Sequence, residues 1–195
     1  MATSAIQVCS NALLLLGQAS INSFDEDKTQ LTPNLWDTCR QSTLRLGQWA
    51  CARKRVTLSP LATKPGFGWT YLFQLPSDLL RTISIGERGE FFDYEIDNGQ
   101  LLADEATIKL RYVYDNLNPA SWDALLVEAT TLHMAWLLAY AITGSSTKAD
   151  ALGTQFSAFL KMARGVNHSE TPGETMGDSP LLTSRFNGGN GRFAR

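Results

Sequence analysis

No lysine or arginine occurs among the first 27 residues, so the apolar run 13–16 has neither the basic flank of a secretory signal nor the length of a spanning helix. The longest purely apolar stretch, 134–142, is also far short of the ~20 residues a bilayer crossing requires. No membrane partner is expected, and the chain is expected to be made and kept in the cytosol. Cysteine is scarce: Cys9, Cys39 and Cys51 are an odd number without C-x-x-C spacing, which argues for small buried hydrophobes over a disulfide framework or a zinc knuckle.

Reactive constellations are scarce as well. Neither His133 nor His168 stands one helical turn from a second ligand type, so no metal site is expected. The sequence contains no G-x-S-x-G elbow, Walker loop or H-E-x-x-H. The stretch 189–194 resembles a dinucleotide fingerprint in letters alone, because no strand precedes it and no helix follows. Asp123 and Glu128 lie five apart on one helix and do not face each other across a cleft. No catalytic residue, cofactor or metal is therefore assigned, and the chain is not expected to be an enzyme.

What is present suits one compact domain with extensions: 195 residues, 44% hydrophobic and 18% charged. Seventeen basic against nineteen acidic residues leave a net charge of −2, too little for a global pull towards nucleic acid. The fold class is expected to be α+β, a four-helix body with an inserted antiparallel β-rich region and an extended C-terminal arm. Ile6, Cys9, Leu13 and Leu16 form one helical stripe before a capping Gly17, and Leu35, Cys39, Leu46 and Trp49 form a second, through which the first two helices are expected to pair. The polar stretch 20–30 between them reads as a loop.

Helices are placed at about 3–16, 32–50, 119–143 and 146–164, with the β-rich insertion at about 53–114. Within it, Asp97-Asn98-Gly99 carries hairpin chemistry, and 107–114 alternates as a half-buried strand. The third helix, apolar on several sides, should be the central one, and Leu152, Phe156, Phe159 and Ala163 give the fourth a narrower seam. The domain spans 1–167, and the glycine-rich segment 168–195 reads as a flexible arm.

Charge is unevenly distributed. Residues 38–77 carry Arg40, Arg45, Arg53, Lys54, Arg55 and Lys64 and no acid, whereas 82–108 carry seven acids against Arg88 alone. Arg53, Lys54 and Arg55 are assigned as an inter-subunit charge patch, since the run lacks the aromatic interleaving of single-strand binders.

Three segments then carry a resemblance: 49–58 (WACARKRVTL), 71–81 (YLFQLPSDLLR), and Ala103-Asp104 followed by 108–112 (IKLRY). In order and spacing the chain resembles the tail tubular protein A family, the head-to-tail adaptors of short-tailed bacteriophages, and the likeness covers nearly everything up to the arm. Its strongest piece is F-x-L-P-x-D-x-x-R at Phe73, Leu75, Pro76, Asp78 and Arg81, physically a structural corner in which Leu75-Pro76 stops a strand and Ser77 or Asp78 caps a turn, a role expected of Asp78.

The resemblance implies a virion protein at the head-tail junction, assembled in the host cytoplasm as a homo-oligomeric ring of about a dozen copies. Its implied partners are the portal above and the tail nozzle below, with DNA passing through the lumen without sequence-specific binding. On the arm, Arg185, Phe186, Arg192, Phe193 and Arg195 are expected to dock on the portal by ordering upon it. The rival readings are a head-completion or neck protein of a longer-tailed phage, a nucleic-acid-binding module using Arg53 to Arg55, and an enzyme acting on host wall or nucleic acid.

Overall fold

A computed structural model describes residues 3–27, 29–87 and 93–169. Among these residues four helices, α1 (Ala5–Leu15), α2 (Leu31–Leu46), α3 (Ala124–Thr143) and α4 (Ser146–Ser169), enclose six strands in sequence between α2 and α3. The strands are β1 (Arg53–Leu58), β2 (Tyr71–Gln74), β3 (Leu79–Ile85), β4 (Tyr94–Asp97), β5 (Gln100–Ala103) and β6 (Ile108–Tyr114). They form two small antiparallel sheets, ordered β1-β6-β3 and β2-β5-β4, so the class is mixed α+β. The chain divides into a helical unit, 1–56, 76–84 and 111–170, and a second unit that includes 57–75 and 85–110.

In the helical unit each helix end is set by local chemistry. The Ser4 hydroxyl accepts the Gln7 N–H at 3.1 Å to start α1. Gly17, at φ 80°, lets its own N–H reach the Leu14 carbonyl and the Gln18 N–H reach that of Leu13, closing the helix as a Schellman turn. The Asp123 carboxylate caps α3 at Leu125 N–H, 3.2 Å away, and Gly144 ends it at φ 66°. Asn118 caps only a 3-10 turn, Pro119–Ser121, so α3 begins later than the predicted 119.

α3 is the centre, as its all-round apolar sequence implies. By length and composition it would also cross a membrane, with a mean hydropathy of 1.5, but its Leu126, Ala129, Met134, Ala135, Leu138 and Ala139 are fully buried inside the helical unit, as in a core helix. α1, α2 and α4 all pack on it, and α1 and α2 touch each other little, which corrects the expected pairing of their stripes.

The α2 stripe also differs from the one its apolar letters suggested. Its buried face is Thr32, Trp36, Cys39, Arg40, Thr43 and Leu44, while Leu46 is exposed. The polar members are buried because each is satisfied, Thr32 by Asp27, Arg40 by Asp115 and Thr43 by His133. Asp27, in the stretch read as a loop, accepts the Thr29 and Thr32 N–H groups and both their hydroxyls, and despite its burial these bonds hold its carboxyl down at about 2.

α2 stops at Leu46 and not near 50, because Trp49 folds back over the helix end and donates Nε1–H to the Thr43 carbonyl at 3.1 Å. The indole occupies the space a side chain at Gly47 would need: a Cβ there would stand 2.4 Å from Nε1. Gly47→Ala is therefore expected to displace Trp49 and cost about 1–3 kcal/mol, read as a lower urea midpoint with altered tryptophan fluorescence. At its far end α4 runs through Ser169, five residues past the predicted stop, so the first residues assigned to the arm are helical.

The second unit buries a core of its own, with Phe73, Leu101, Ala103, Ile108 and Leu110 all at 1% exposure or less. β4 and β5 pair from Tyr94↔Ala103 to Asp97↔Gln100, joined through Asn98 at φ 46° and Gly99 at φ 73°, the two positive φ values a tight hairpin turn requires. β2 pairs with the other side of β5, from Tyr71↔Ala103 to Gln74↔Gln100, leaving β4 at the sheet edge.

Candidate functional site

The corner motif is structural in each of its parts. Phe73 and Leu75 are buried in the second unit, and after Pro76 a turn closes through Leu79 N–H to the Pro76 carbonyl at 3.1 Å. Asp78 does not cap that turn with its side chain, which corrects the expected role. It stands at the head of β3, where its carbonyl accepts the Asp115 N–H at 2.8 Å, and its carboxylate turns to Lys54 Nζ at 2.6 Å and the Tyr112 hydroxyl at 3.0 Å.

Burial alone would raise the Asp78 carboxyl, but the bonds from Lys54 and Tyr112 and the Lys54 charge outweigh it and hold it below the usual range. The buried Tyr112 phenol is pushed up to about 12 by burial and by the Asp78 carboxylate. Asp78→Ala should cost about 1–3 kcal/mol by stranding the Tyr112 hydroxyl, and should bring that phenol back towards the ordinary value near 10. Thermal melting and an ultraviolet pH titration of the folded protein check the two parts.

The basic run is divided between the two sides of β1. Lys54, itself exposed, pairs with Asp78 and lies over the face of Tyr114, 3.9 Å from the ring centroid. Strand alternation sends Arg53, half-buried, and Arg55, exposed, to the other side of β1 from Lys54. All three residues keep solvent exposure, Arg53 half-buried and Lys54 and Arg55 exposed, on two sides of the strand. Arg40 is not a surface charge either: at 4% exposure it donates Nε and Nη2 to Asp115, at 2.8 and 3.0 Å, and Nη1 to Asp37. Burial would lower its pKa, and these carboxylates raise it instead. Among the acids, Glu87 pairs with Lys109, Glu95 accepts Trp69 Nε1–H at 3.0 Å, and Asp104 accepts the Thr70 N–H and hydroxyl.

A second basic group lies at the C-terminus of α2, assembled from residues far apart in sequence. Arg164 of α4 donates Nε and Nη2 to the Leu46 carbonyl, at 3.0 and 2.7 Å, and Arg81 of β3 donates Nη2 to the Gly47 carbonyl at 3.0 Å. Arg45 stands in the last turn of the same helix. These guanidiniums satisfy carbonyls that a helix end leaves open, and they meet its negative pole. Burial holds Arg81 below its ordinary value, and the charges of Arg164 and Arg45 add to this.

The remaining polar interior supports packing. His133 is 6% exposed, shares a 2.8 Å hydrogen bond with Thr43 and stacks on Phe156 at 4.5 Å and Trp136 at 5.8 Å. Cys9, Cys39 and Cys51 are free thiols, and burial pushes Cys9 and Cys39 up to about 12. No group of three metal-ligating side chains is found among the described residues. A shallow depression of about 480 Å³ between α1 and the start of α3 is lined by residues including Asn11, Trp122 and Thr131, with Glu128 the one titratable group on its described lining. The arm residues Arg185, Phe186, Arg192, Phe193 and Arg195 lie outside the described residues. No protein-family model matches this chain, and no curated protein matches it.

Proposed function

We propose that this chain is the subunit of a homo-oligomeric head-to-tail adaptor ring of a short-tailed phage, bridging the portal and the tail nozzle and helping to retain the packaged genome. The observation that carries this reading is the order of three segments, 49–58, 71–81 and 103–112, by which the chain resembles the tail tubular protein A family. In the fold they become β1, the β2-corner-β3 passage and the β5–β6 passage of an insertion between α2 and α3.

Two physical features fit the role. Helical elements carry large apolar residues outward, among them Leu14 and Leu15 on α1, Tyr140 on α3 and Met162 on α4, at exposures of 46–65%. The near-neutral net charge of −2 suits a conduit through which DNA slides, because a strongly basic lumen would hold phosphates through counterion release. The ring needs no cofactor and no catalytic group. Electron microscopy of the purified chain tests the reading: closed rings with a central channel are expected, and a uniform population of isolated subunits at every concentration, alone and with the portal, would overturn it.

A further inference from the structure

Arg45, Arg81 and Arg164 gather three positive charges around one helix end. Arg164 and Arg81 bond the carbonyls of successive residues, Leu46 and Gly47, which holds these two guanidiniums side by side. Among the described residues no carboxylate bonds to any of the three. The Nε of Arg81 is buried and without a hydrogen-bond partner. Capping two carbonyls accounts for two arginines, but not for a third like charge beside them.

The opposite charge stands in the second unit. Residues 93–105 hold Asp93, Glu95, Asp97, Asp104 and Glu105 and no base. The strand within this stretch, β4, lies at the edge of its sheet with all four residues exposed, including Tyr94 and Ile96 at 45% each. An exposed edge with two apolar side chains is a surface that proteins ordinarily cover or blunt. The acids give it the sign that the arginine cluster lacks.

We propose that a second copy of this chain seats the acidic edge hairpin Tyr94–Ala103 on the cluster Arg45, Arg81 and Arg164. This deepens the ring reading and rests on it. The two surfaces are different parts of one chain, so the contact is heterologous: each copy offers a cluster to one neighbour and a hairpin to the other, and repetition closes a ring when the rotation allows. Glu95 and Asp97, which alternation places on one side of β4, meet the guanidinium forks in charge-assisted hydrogen bonds. A duplex DNA backbone would offer oxyanions to the same arginines, but not a reason for the exposed acidic edge on the same chain.

Sedimentation of the full-length chain at low and high salt tests this, using R45E, the pair E95K/D97K, and all three changes together. Each reversal alone is expected to weaken self-association at least about tenfold, and the combination to restore it to near the wild-type level. Melting curves establish that each variant is folded, and R45Q replaces R45E if the latter is not. Wild-type association that neither reversal weakens would overturn this contact and leave the ring standing. Weakening without recovery in the combination would overturn the pairing of these two surfaces. A wild-type chain that never self-associates, alone or with the portal, would overturn both readings. Loss of binding to a short fluorescent DNA duplex in R45E, with self-association unchanged, would make the cluster a phosphate site and overturn the proposal.

Discussion

Asp115→Ala is expected to destabilise the protein by about 3–5 kcal/mol. Asp115 receives Arg40 Nε and Nη2 together and also Gln41 Nε2 at 3.0 Å, so its removal breaks a two-pronged contact to a guanidinium that is 4% exposed. Arg40 would keep Asp37, but that side chain is 74% exposed and its attraction is correspondingly screened. The penalty is the stranded buried charge and not the net worth of the pair, so Arg40→Met with Asp115→Leu should recover much of the loss. Urea unfolding of both variants measures it. A loss under about 1 kcal/mol in Asp115→Ala would show that Arg40 reaches water once its partner is gone.

Phe156→Ala should cost about 3–5 kcal/mol, since it empties a site that is 4% exposed between His133 and Trp136. It should also change how stability depends on pH. Burial holds the His133 imidazole below its ordinary value of about 6.5, so the unfolded chain takes up a proton there more readily than the folded one does. Stability from this group is therefore fully present above about pH 6.5, declines as the pH falls below that, and stops declining below the folded-state value. Opening the site with Phe156→Ala brings the imidazole towards its ordinary value and flattens that slope. His133→Gln removes it while leaving Phe156 in place. Chemical denaturation between neutral and mildly acid pH separates these cases, and an unchanged slope in His133→Gln would assign the effect to another group.

Local signals were legible wherever they were carried by neighbouring residues. Asn98-Gly99 specified a hairpin because positive φ at two successive positions is costly for most residue pairs. Gly17 marked the end of α1 for the same reason, and the all-round apolar α3 declared itself central. What sequence could not show was set by pairs distant along the chain. Arg40 and Asp115 are 75 residues apart and Arg164 is 118 from the carbonyl it bonds, so neither a buried arginine face on α2 nor a cluster at its end has a sequence signature. The run Arg53-Lys54-Arg55 is continuous in letters, and strand alternation divides it between the two sides of β1. Trp49 fitted the α2 stripe in spacing, yet it is buried by folding back, and its indole ends the helix that its spacing suggested it would extend.

The proposed ring and its docking on a portal are checked by mixing the purified full-length chain with the candidate portal protein and imaging the mixture by electron cryomicroscopy. The predicted result is a closed ring of about a dozen copies, coaxial with the portal and continuing its channel. A folded chain that neither assembles nor binds the portal would contradict it.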